Sequence, residues 1–480
     1  MNYRMVFYVT GKMMSLGAAM LAAPLMVSLY YGEHNETAFL ITIALFLAAG
    51  AAGMLMKPKK KEMYAREGMV IVALSWVLFS FFGGLPFFLS RQIPSLMDCF
   101  FETVSGFTTT GSTILTDVEA LSRSMLFWRS LTHWIGGMGV LVFANALFSQ
   151  KDTRMAYIMR AEMPGPKVGK LVEKWQFSAR ILYIIYMFLT VTEFILLMLG
   201  GMPAFDSIVH AFGTAGTGGF GIKNASIGFY DSAYIDYVIS IFMILFGVNF
   251  NIYYLLILKR FSKVAESDEL KTYICIIAAA SVIVALNITP MYRSFGEAFR
   301  YSFFQVGSII TTTGYATADF CEWPVLSQFI LVMLMFTGCC AGSTGGGLKM
   351  VRVSILAKSA AREIKHMIYP RSVNTMKSDG KPLDNSITVG VLTYFVVYML
   401  IVASSVLIVT LDNFDITTSV TSVIATFNNI GPGLGKIGPS GNFADFSVLS
   451  KLVLSFDMLA GRLELYPMLA LFTPSVWKRL

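Results

Sequence analysis

Long apolar runs, each closed by a charged or glycine-rich segment, dominate the pattern of hydrophobic and polar positions. The candidate spans are Met5–Leu29, Ala38–Met56, Met69–Leu89, Met125–Phe148, Ile181–Leu199, Tyr234–Leu258, Thr272–Thr289, Val325–Leu348, Ile387–Leu411 and Phe446–Phe472. Each approaches the roughly 20 residues that a helix needs to cross a bilayer. The first contains Lys12 and reads as a membrane helix, not a cleavable signal. Four intervals break this rhythm: Met97 to Thr116, Phe205 to Ala225, Phe295 to Thr317 and Phe414 to Gly441. Each starts with an apolar stretch too short to span and then turns polar and rich in glycine. Such segments predict re-entrant helices with an extended return, which membrane depth tolerates only where backbone lines a water-filled cavity. The pattern therefore predicts a fourfold repeat of helix, re-entrant loop, helix.

The breaks align. Residues 107–112 read Phe-Thr-Thr-Thr-Gly-Ser and residues 310–315 read Ile-Thr-Thr-Thr-Gly-Tyr, nearly the same hexapeptide. Gly-Thr-Gly-Gly-Phe at 216–220 and Asn-Asn-Ile-Gly-Pro-Gly at 428–433 are degenerate copies, so Gly111, Gly219, Gly314 and Gly431 take one equivalent position. A cation that leaves water loses its hydration shell, and a ring of backbone carbonyls can replace it. Turning successive carbonyls inward needs dihedrals that glycine adopts freely. Thr109, Thr110, Thr312 and Thr313 can add hydroxyl oxygens, and the C-terminal ends of the short helices favour positive charge. Tight helix crossings also use glycine; that reading suits Gly83-Gly84 and Gly200-Gly201 but not a repeated Thr-Thr-Thr-Gly.

Composition settles the class. Of 480 residues, 55% are hydrophobic and 14% charged, against about a quarter charged in soluble proteins, so the chain is an all-α polytopic membrane protein and not a soluble enzyme. The net charge of +8 raises the question of nucleic acid, but the basic residues fall in alternate short loops. These hold Lys57, Lys59, Lys60, Lys61 and Arg66; then Lys151, Arg154, Arg160, Lys167, Lys170 and Lys174; then Lys259, Arg260, Lys263 and Lys271; then 349–381; then Lys478 and Arg479. The positive-inside rule puts all of these, with both termini, in the cytoplasm. Asp117, Glu119, Asp231, Asp236, Asp319, Glu322 and Asp445 make the opposite mouth acidic. Cys99, Cys275, Cys321, Cys339 and Cys340 show neither a disulfide framework nor metal-ligand spacing, and no pair of His34, His133, His210 and His366 does either.

The motifs Thr109-Thr110-Gly111, His133-Trp134-Ile135-Gly136-Gly137-Met138-Gly139, Gly218-Gly219-Phe220, Thr312-Thr313-Gly314, 341–347 (Ala-Gly-Ser-Thr-Gly-Gly-Gly) and 428–433 resemble the Trk/Ktr/HKT superfamily of potassium transporters, most closely the bacterial Trk-type membrane subunit. The resemblance covers 69–472, with the first two helices as the extra pair of the Trk type. It implies four pore units around a central pore: 67–176, 177–271, 272–385 and 386–480, after an N-terminal pair at 1–66. It implies uptake of potassium across the bacterial cytoplasmic membrane, a homodimer, a cytosolic nucleotide-binding regulatory subunit, and no organic cofactor. Potassium would sit at Thr110, Gly111, Gly219, Thr313, Gly314, Ile430 and Gly431, with Gly218 and Asn429 completing the filter. One departure is Thr217, which precedes Gly-Gly where the family pattern has Thr-Thr-Gly. Selectivity for potassium over sodium comes from the resemblance alone, so sodium or mixed transport, or a non-conducting sensor of the same fold, remains an alternative.

Residues 337–347 interrupt a spanning run with glycines that each cost a helix about 1 kcal/mol. The resemblance makes Gly342, Ser343, Thr344, Gly345, Gly346 and Gly347 a gate beneath the filter. A phosphate-binding loop is excluded, since the lysine spacing is wrong and no strand precedes. Arg462 lies deep in the last run, where a charge costs at least about 2.5 kcal/mol; the resemblance makes it an electrostatic barrier, and an ion pair with Asp457 or Glu464 is the structural alternative. Asp98, Asp206, Glu297 and Asp415 are expected N-caps of the re-entrant helices. Glu102 and Glu193 read as hydrogen-bonded within the bundle or as part of a proton pathway. The basic stretch with Arg352, Lys358, Arg362, Lys365 and Arg371 is a solvated face near lipid or a docking surface for a regulatory subunit.

Overall fold

A computed structural model describes residues 1–58, 64–139, 175–371 and 375–478, with side chains of 175–180 and 381 left aside. Lys59 to Lys61, the basic loop with Lys151, Arg154, Arg160, Lys167, Lys170 and Lys174, the end of the Met125–Phe148 run and Arg479 lie outside the described residues.

Helices α1 (Tyr3–Met20) and α2 (Ala22–Tyr31) follow each other almost without interruption, and α3 (Glu36–Leu55) packs back along α1. Glycines set that crossing: a Cβ on Gly11 would lie 2.8 Å from the Gly50 carbonyl oxygen, the close approach that small residues allow between membrane helices. Four units then repeat. The first is α4 (Ala65–Leu89), the re-entrant α5 (Leu96–Phe107) and α6 (Arg123–Gly137). The second is α7 (Trp175–Leu199), re-entrant α8 (Ala204–Gly216), α9 (Ala233–Phe246) and α10 (Phe250–Ile257), followed by the short α11 (Phe261–Ala265). The third is α12 (Asp268–Ile288), re-entrant α13 (Phe295–Ile310), α14 (Val325–Thr337) and α15 (Met350–Ile368). A two-residue hairpin, β1 (Lys377–Ser378) with β2 (Lys381–Pro382), leads to the fourth. That unit is α16 (Asn385–Val409), re-entrant α17 (Ile416–Phe427), α18 (Val448–Arg462), α19 (Tyr466–Phe472) and α20 (Pro474–Trp477).

Among the described residues, six helices are long and apolar enough to cross a membrane, or seven if α9 and α10 count as one. Four apolar runs are not the single helices expected. Met125–Phe148 is helical only as far as Gly137 within the described residues, with Gly139 at φ +81°. Tyr234–Leu258 bends by 90° between α9 and α10. Val325–Leu348 stops as a helix at Thr337, where Gly338 takes φ +66°. Phe446–Phe472 breaks after Arg462, with Glu464 and Leu465 both at positive φ. In the last three cases long-range contacts override the local apolar pattern.

The expected caps need correction. Ser95 and Ser294 cap α5 and α13, accepting from the N–H groups of Asp98 and Glu297 at 3.3 and 3.2 Å. α8 follows Pro203 without a side-chain cap, and only Asp415 caps its helix, accepting from Thr418 N at 2.9 Å. Asp98, Asp206 and Glu297 all stand at the third helical position, still close to the positive helix end but freed for other partners. Lys451 Nζ donates to Asp98 at 2.6 Å, the Tyr230 hydroxyl to Asp206 at 2.7 Å, and Arg293 N to Glu297 at 3.0 Å.

Candidate ion pathway

Each re-entrant helix ends in the same hydrogen-bonded turn. Thr110 N donates to Ser105 O, Gly218 N to Gly213 O, Thr313 N to Ser308 O and Ile430 N to Ala425 O, all at 2.9 Å. The preceding residue donates three back, from Thr109, Thr217, Thr312 and Asn429. These two bonds define a Schellman motif, whose terminal residue must be left-handed. Thr109, Thr217, Thr312 and Asn429 are, at φ +55°, +54°, +59° and +57°. A β-branched threonine there is an outlier and costs about 1–2 kcal/mol. Two residues on, Gly111, Gly219, Gly314 and Gly431 are left-handed again, at φ +84°, +76°, +81° and +94°. The second and fourth segments therefore adopt the backbone of the first and third despite their different sequences, including the second, where Thr217 precedes Gly-Gly.

The four turns meet. A Cβ on Gly111 would lie 2.1 Å from Gly218 O, one on Gly219 1.9 Å from Thr313 O, one on Gly314 2.1 Å from Ile430 O, and one on Gly431 2.8 Å from Thr110 O. Each glycine thus lies against the carbonyl before the next unit's glycine, and the fourth closes on the first. Both the positive φ and the missing side chain are required at these four positions. One cavity on the side of the return segments is lined by all four glycines.

Buried polar groups brace this ring from behind. The Arg129 Nε–Glu102 Oε1 pair is 2.6 Å long and almost fully buried. Glu102 also accepts from Thr113 Oγ1 and Ile114 N, while Arg129 donates to Gly221 O at 3.0 Å and stacks on the Phe220 ring. The pair thereby joins the return segments of units one and two. His133 joins the same units: its Nε2 accepts from Phe220 N at 3.3 Å, so Nδ1 carries the proton and donates to Gly106 O at 2.8 Å. His210 lies between the Tyr315 and Tyr230 hydroxyls, each 3.3 Å away. Both histidines are packed and hydrogen-bonded, as expected from the sequence. Glu193 differs from Glu102: its carboxylate is fully buried beside Thr214 and makes no hydrogen bond of ordinary geometry. At the mouth, several acids are neutralised. Lys223 Nζ donates to Glu119 at 2.9 Å, which holds that carboxyl below its usual range, and Asp236 and Asp445 pair with Arg300 and Lys436.

Opposite the mouth, residues 338–349 form a loop pressed against the ring. Gly346 N donates to Thr312 Oγ1 at 2.7 Å and Gly347 N to Asn428 O at 3.0 Å. A Cβ on Gly345 would lie 2.9 Å from Thr311 O, and one on Gly346 2.3 Å from Asn428 O. The loop also occupies the bend between α9 and α10, where Cys340 N donates to Gly247 O and Phe250 N to Gly342 O, both at 3.1 Å. The two broken helices are therefore one feature: the loop of unit three lodges in the bend of unit two. Lys349, buried and at φ +72°, donates from Nζ to Gly345 O.

Arg462 is half-buried beneath this loop and donates to the carbonyls of Thr344, Gly136 and Gly137, each at 2.6 Å. Neither expected ion-pair partner takes it. Glu464 pairs with Arg352, at 3.1 Å to Nη1, and Asp457 accepts from Ser405 Oγ at 2.9 Å. The reason is geometric, because the helix break after Arg462 turns Glu464 away toward α15. Sequence reasoning missed the bend at 247–249 and the bracing roles of Arg129 and His133. The Gly247-Val248-Asn249 run inside an apolar stretch was the only local sign of the bend.

A family model described as "TrkH: Cation transport protein" matches residues 35–479. The Trk system potassium uptake protein TrkH of Salmonella typhimurium is 37% identical over 487 residues, covering 100% of each chain. The Trk system potassium uptake protein TrkG of Escherichia coli is 32% identical, covering 99% of each. The crystal structure of the potassium transporter TrkH from Vibrio parahaemolyticus superposes with a TM-score of 0.89 at 32% identity, again over 100% of both chains. The family is one of transporters and not of enzymes, and with its fourfold set of re-entrant turns this chain belongs to it, as a TrkH-family cation transport protein.

Proposed function

We propose that the chain takes up potassium across the bacterial inner membrane through the ring of four turns, with Thr109, Thr110, Gly111, Gly218, Gly219, Thr312, Thr313, Gly314, Asn429, Ile430 and Gly431 as the filter. The observation that carries this reading is the cyclic closure of the four glycines, each against the next unit's carbonyl. Four equivalent carbonyl-bearing turns around one axis suit a dehydrated monovalent cation, which needs several oxygens and no fixed charge. The names and high coverage of the relatives support potassium as the ion.

The loop 337–347, with Gly342, Ser343, Thr344, Gly345, Gly346 and Gly347, is the proposed gate together with Arg462, which donates to Thr344 O. It lies directly against Thr312 and Asn428 on the side away from the mouth, so any ion leaving the ring would meet it. The four pore units are taken as 67–176, 177–271, 272–385 and 386–480. Contact between the chain ends supports placing both termini on one side, the cytoplasm: Tyr3 donates to Trp477 O, and Arg66, beside the first basic loop, donates to Lys478 O at 3.4 Å. A homodimer and a cytosolic nucleotide-binding subunit complete the proposal, with the exposed basic part of α15 as the surface for that subunit. Flux into liposomes holding the purified protein tests the function: potassium should enter faster than sodium in single-cation solutions. Equal or faster sodium entry would reject potassium as the preferred ion.

A further inference from the structure

α15 begins at the end of the glycine-rich loop without a capping side chain of its own. Its N-cap residue, Lys349, is at φ +72° and sends its side chain back to Gly345 O. Yet the Val351 N–H in its first turn has a partner 3.2 Å away, Oε1 of Glu269 on the first turn of α12. The same oxygen accepts from Ala341 N, at 2.7 Å, on the other arm of the loop. One carboxylate oxygen thus ties both arms, 10 residues apart in sequence. The neighbouring Asp268 fastens α12 to the cytoplasmic elements: Lys358 Nζ on α15 donates to its Oδ2 at 2.8 Å, and its own N–H donates to Asp379 Oδ1 at 2.9 Å. Lys358 also donates to Lys377 O on β1 at 3.0 Å.

We propose that Glu269 is a latch for the loop, a positioning residue that holds both arms closed and links them through the start of α12 to α15 and the β1–β2 hairpin. This rests on the gate reading above and adds the residue that sets the gate's closed population. A carboxylate at the amino end of α15 gains from the helix dipole as well as from two charge-assisted hydrogen bonds. Nothing on the ion's route needs this side chain, since its partners are the two loop arms and not the ring. A force that shifts α15 or the hairpin would therefore reach both arms at once.

The test compares variants of equal length at one position. Glu269→Met keeps the volume and removes the acceptor, whereas Glu269→Gln keeps an acceptor oxygen for both N–H groups. Potassium flux per reconstituted molecule, without any cytosolic subunit, should rise at least about tenfold in Glu269→Met, which loses both charge-assisted hydrogen bonds. Glu269→Gln, which keeps the acceptor oxygen but loses the charge, should fall between the parent and Glu269→Met, and the potassium-to-sodium ratio should not move in either. Deletion of 341–346 is measured alongside. If the deletion raises flux and Glu269→Met does not, the latch is refuted while the gate survives; if the deletion leaves flux unchanged, the gate and the latch fall together. Poor accumulation of Glu269→Met with parental flux per surviving molecule would also overturn the latch, leaving a helix cap and nothing more.

Discussion

Arg462 and Arg129 show how one residue type can serve opposite ends in one pathway. Arg462 directs donors to three backbone carbonyls, Thr344, Gly136 and Gly137, and so ties the loop of unit three to the end of α6 in unit one. Hydrogen bonds from a charged donor are worth about 1.5–3 kcal/mol each. Arg462→Ala should therefore loosen the loop and, if Arg462 is the proposed electrostatic barrier, remove that barrier too, raising cation flux per reconstituted molecule with little change in ion preference. Normal abundance with unchanged or lower flux would contradict both roles. Arg129 pairs with Glu102 at 2.6 Å. Glu102→Ala should strand a buried guanidinium and cost about 3–5 kcal/mol, seen as a lower melting temperature and reduced abundance, with Glu102→Gln less severe. At this scale much was readable: the Thr-Thr-Thr-Gly repeat marks the ring because the same local turn recurs. Arg462's partners were not readable, because three carbonyls from two other units leave no trace in the sequence near position 462.

Among elements, the central relation is between the loop at 338–349 and the bend at 247–249. Glycines in mid-span announced the loop, since so many in a helix need another reason. The bend carried almost no signal. Gly247 is required because a Cβ there would lie 2.3 Å from the Tyr273 hydroxyl and 3.0 Å from Cys339 Sγ, and both neighbours come from unit three. The caps escape the sequence for a related reason: an acid at the third helical position and a serine at the cap look alike until the turn's register is known. Deleting 341–346 should remove the Gly342 carbonyl from the bend and the Gly346 N–H from Thr312 Oγ1, so basal flux should increase and control by a cytosolic subunit should weaken. A folded deletion protein that conducts no more than its parent would assign these glycines to packing instead.

Across the whole molecule, four units of unlike sequence converge on one backbone. Hydrogen bonds cross from each unit to the next: Arg129 to Gly221 O between one and two, Gly228 N to Ala316 O between two and three, Ser440 to Asp319 between four and three, and Phe443 N to Thr113 O between four and one. The degenerate second and fourth segments keep the Schellman turn and its positive φ, at a steric cost for β-branched Thr217 and little for Asn429, because only that backbone brings their glycines to the ring. The fold class, the fourfold repeat and the positions of the four left-handed turns were legible from apolar periodicity and the repeated hexapeptide; the cyclic order of contacts was not, because it depends on how units separated by about a hundred residues pack. The most direct test of the ring is the potassium-to-sodium flux ratio of Gly314→Asp in liposomes, at measured protein abundance. Any side chain there must displace Ile430 O, 2.1 Å from where its Cβ would stand, and Pro432 Cδ, 2.8 Å from the same point, whereas global folding rests on the long helices. The ratio should fall toward unity while abundance stays near the parent's; a well-accumulated Gly314→Asp protein with the parental ratio would contradict the filter.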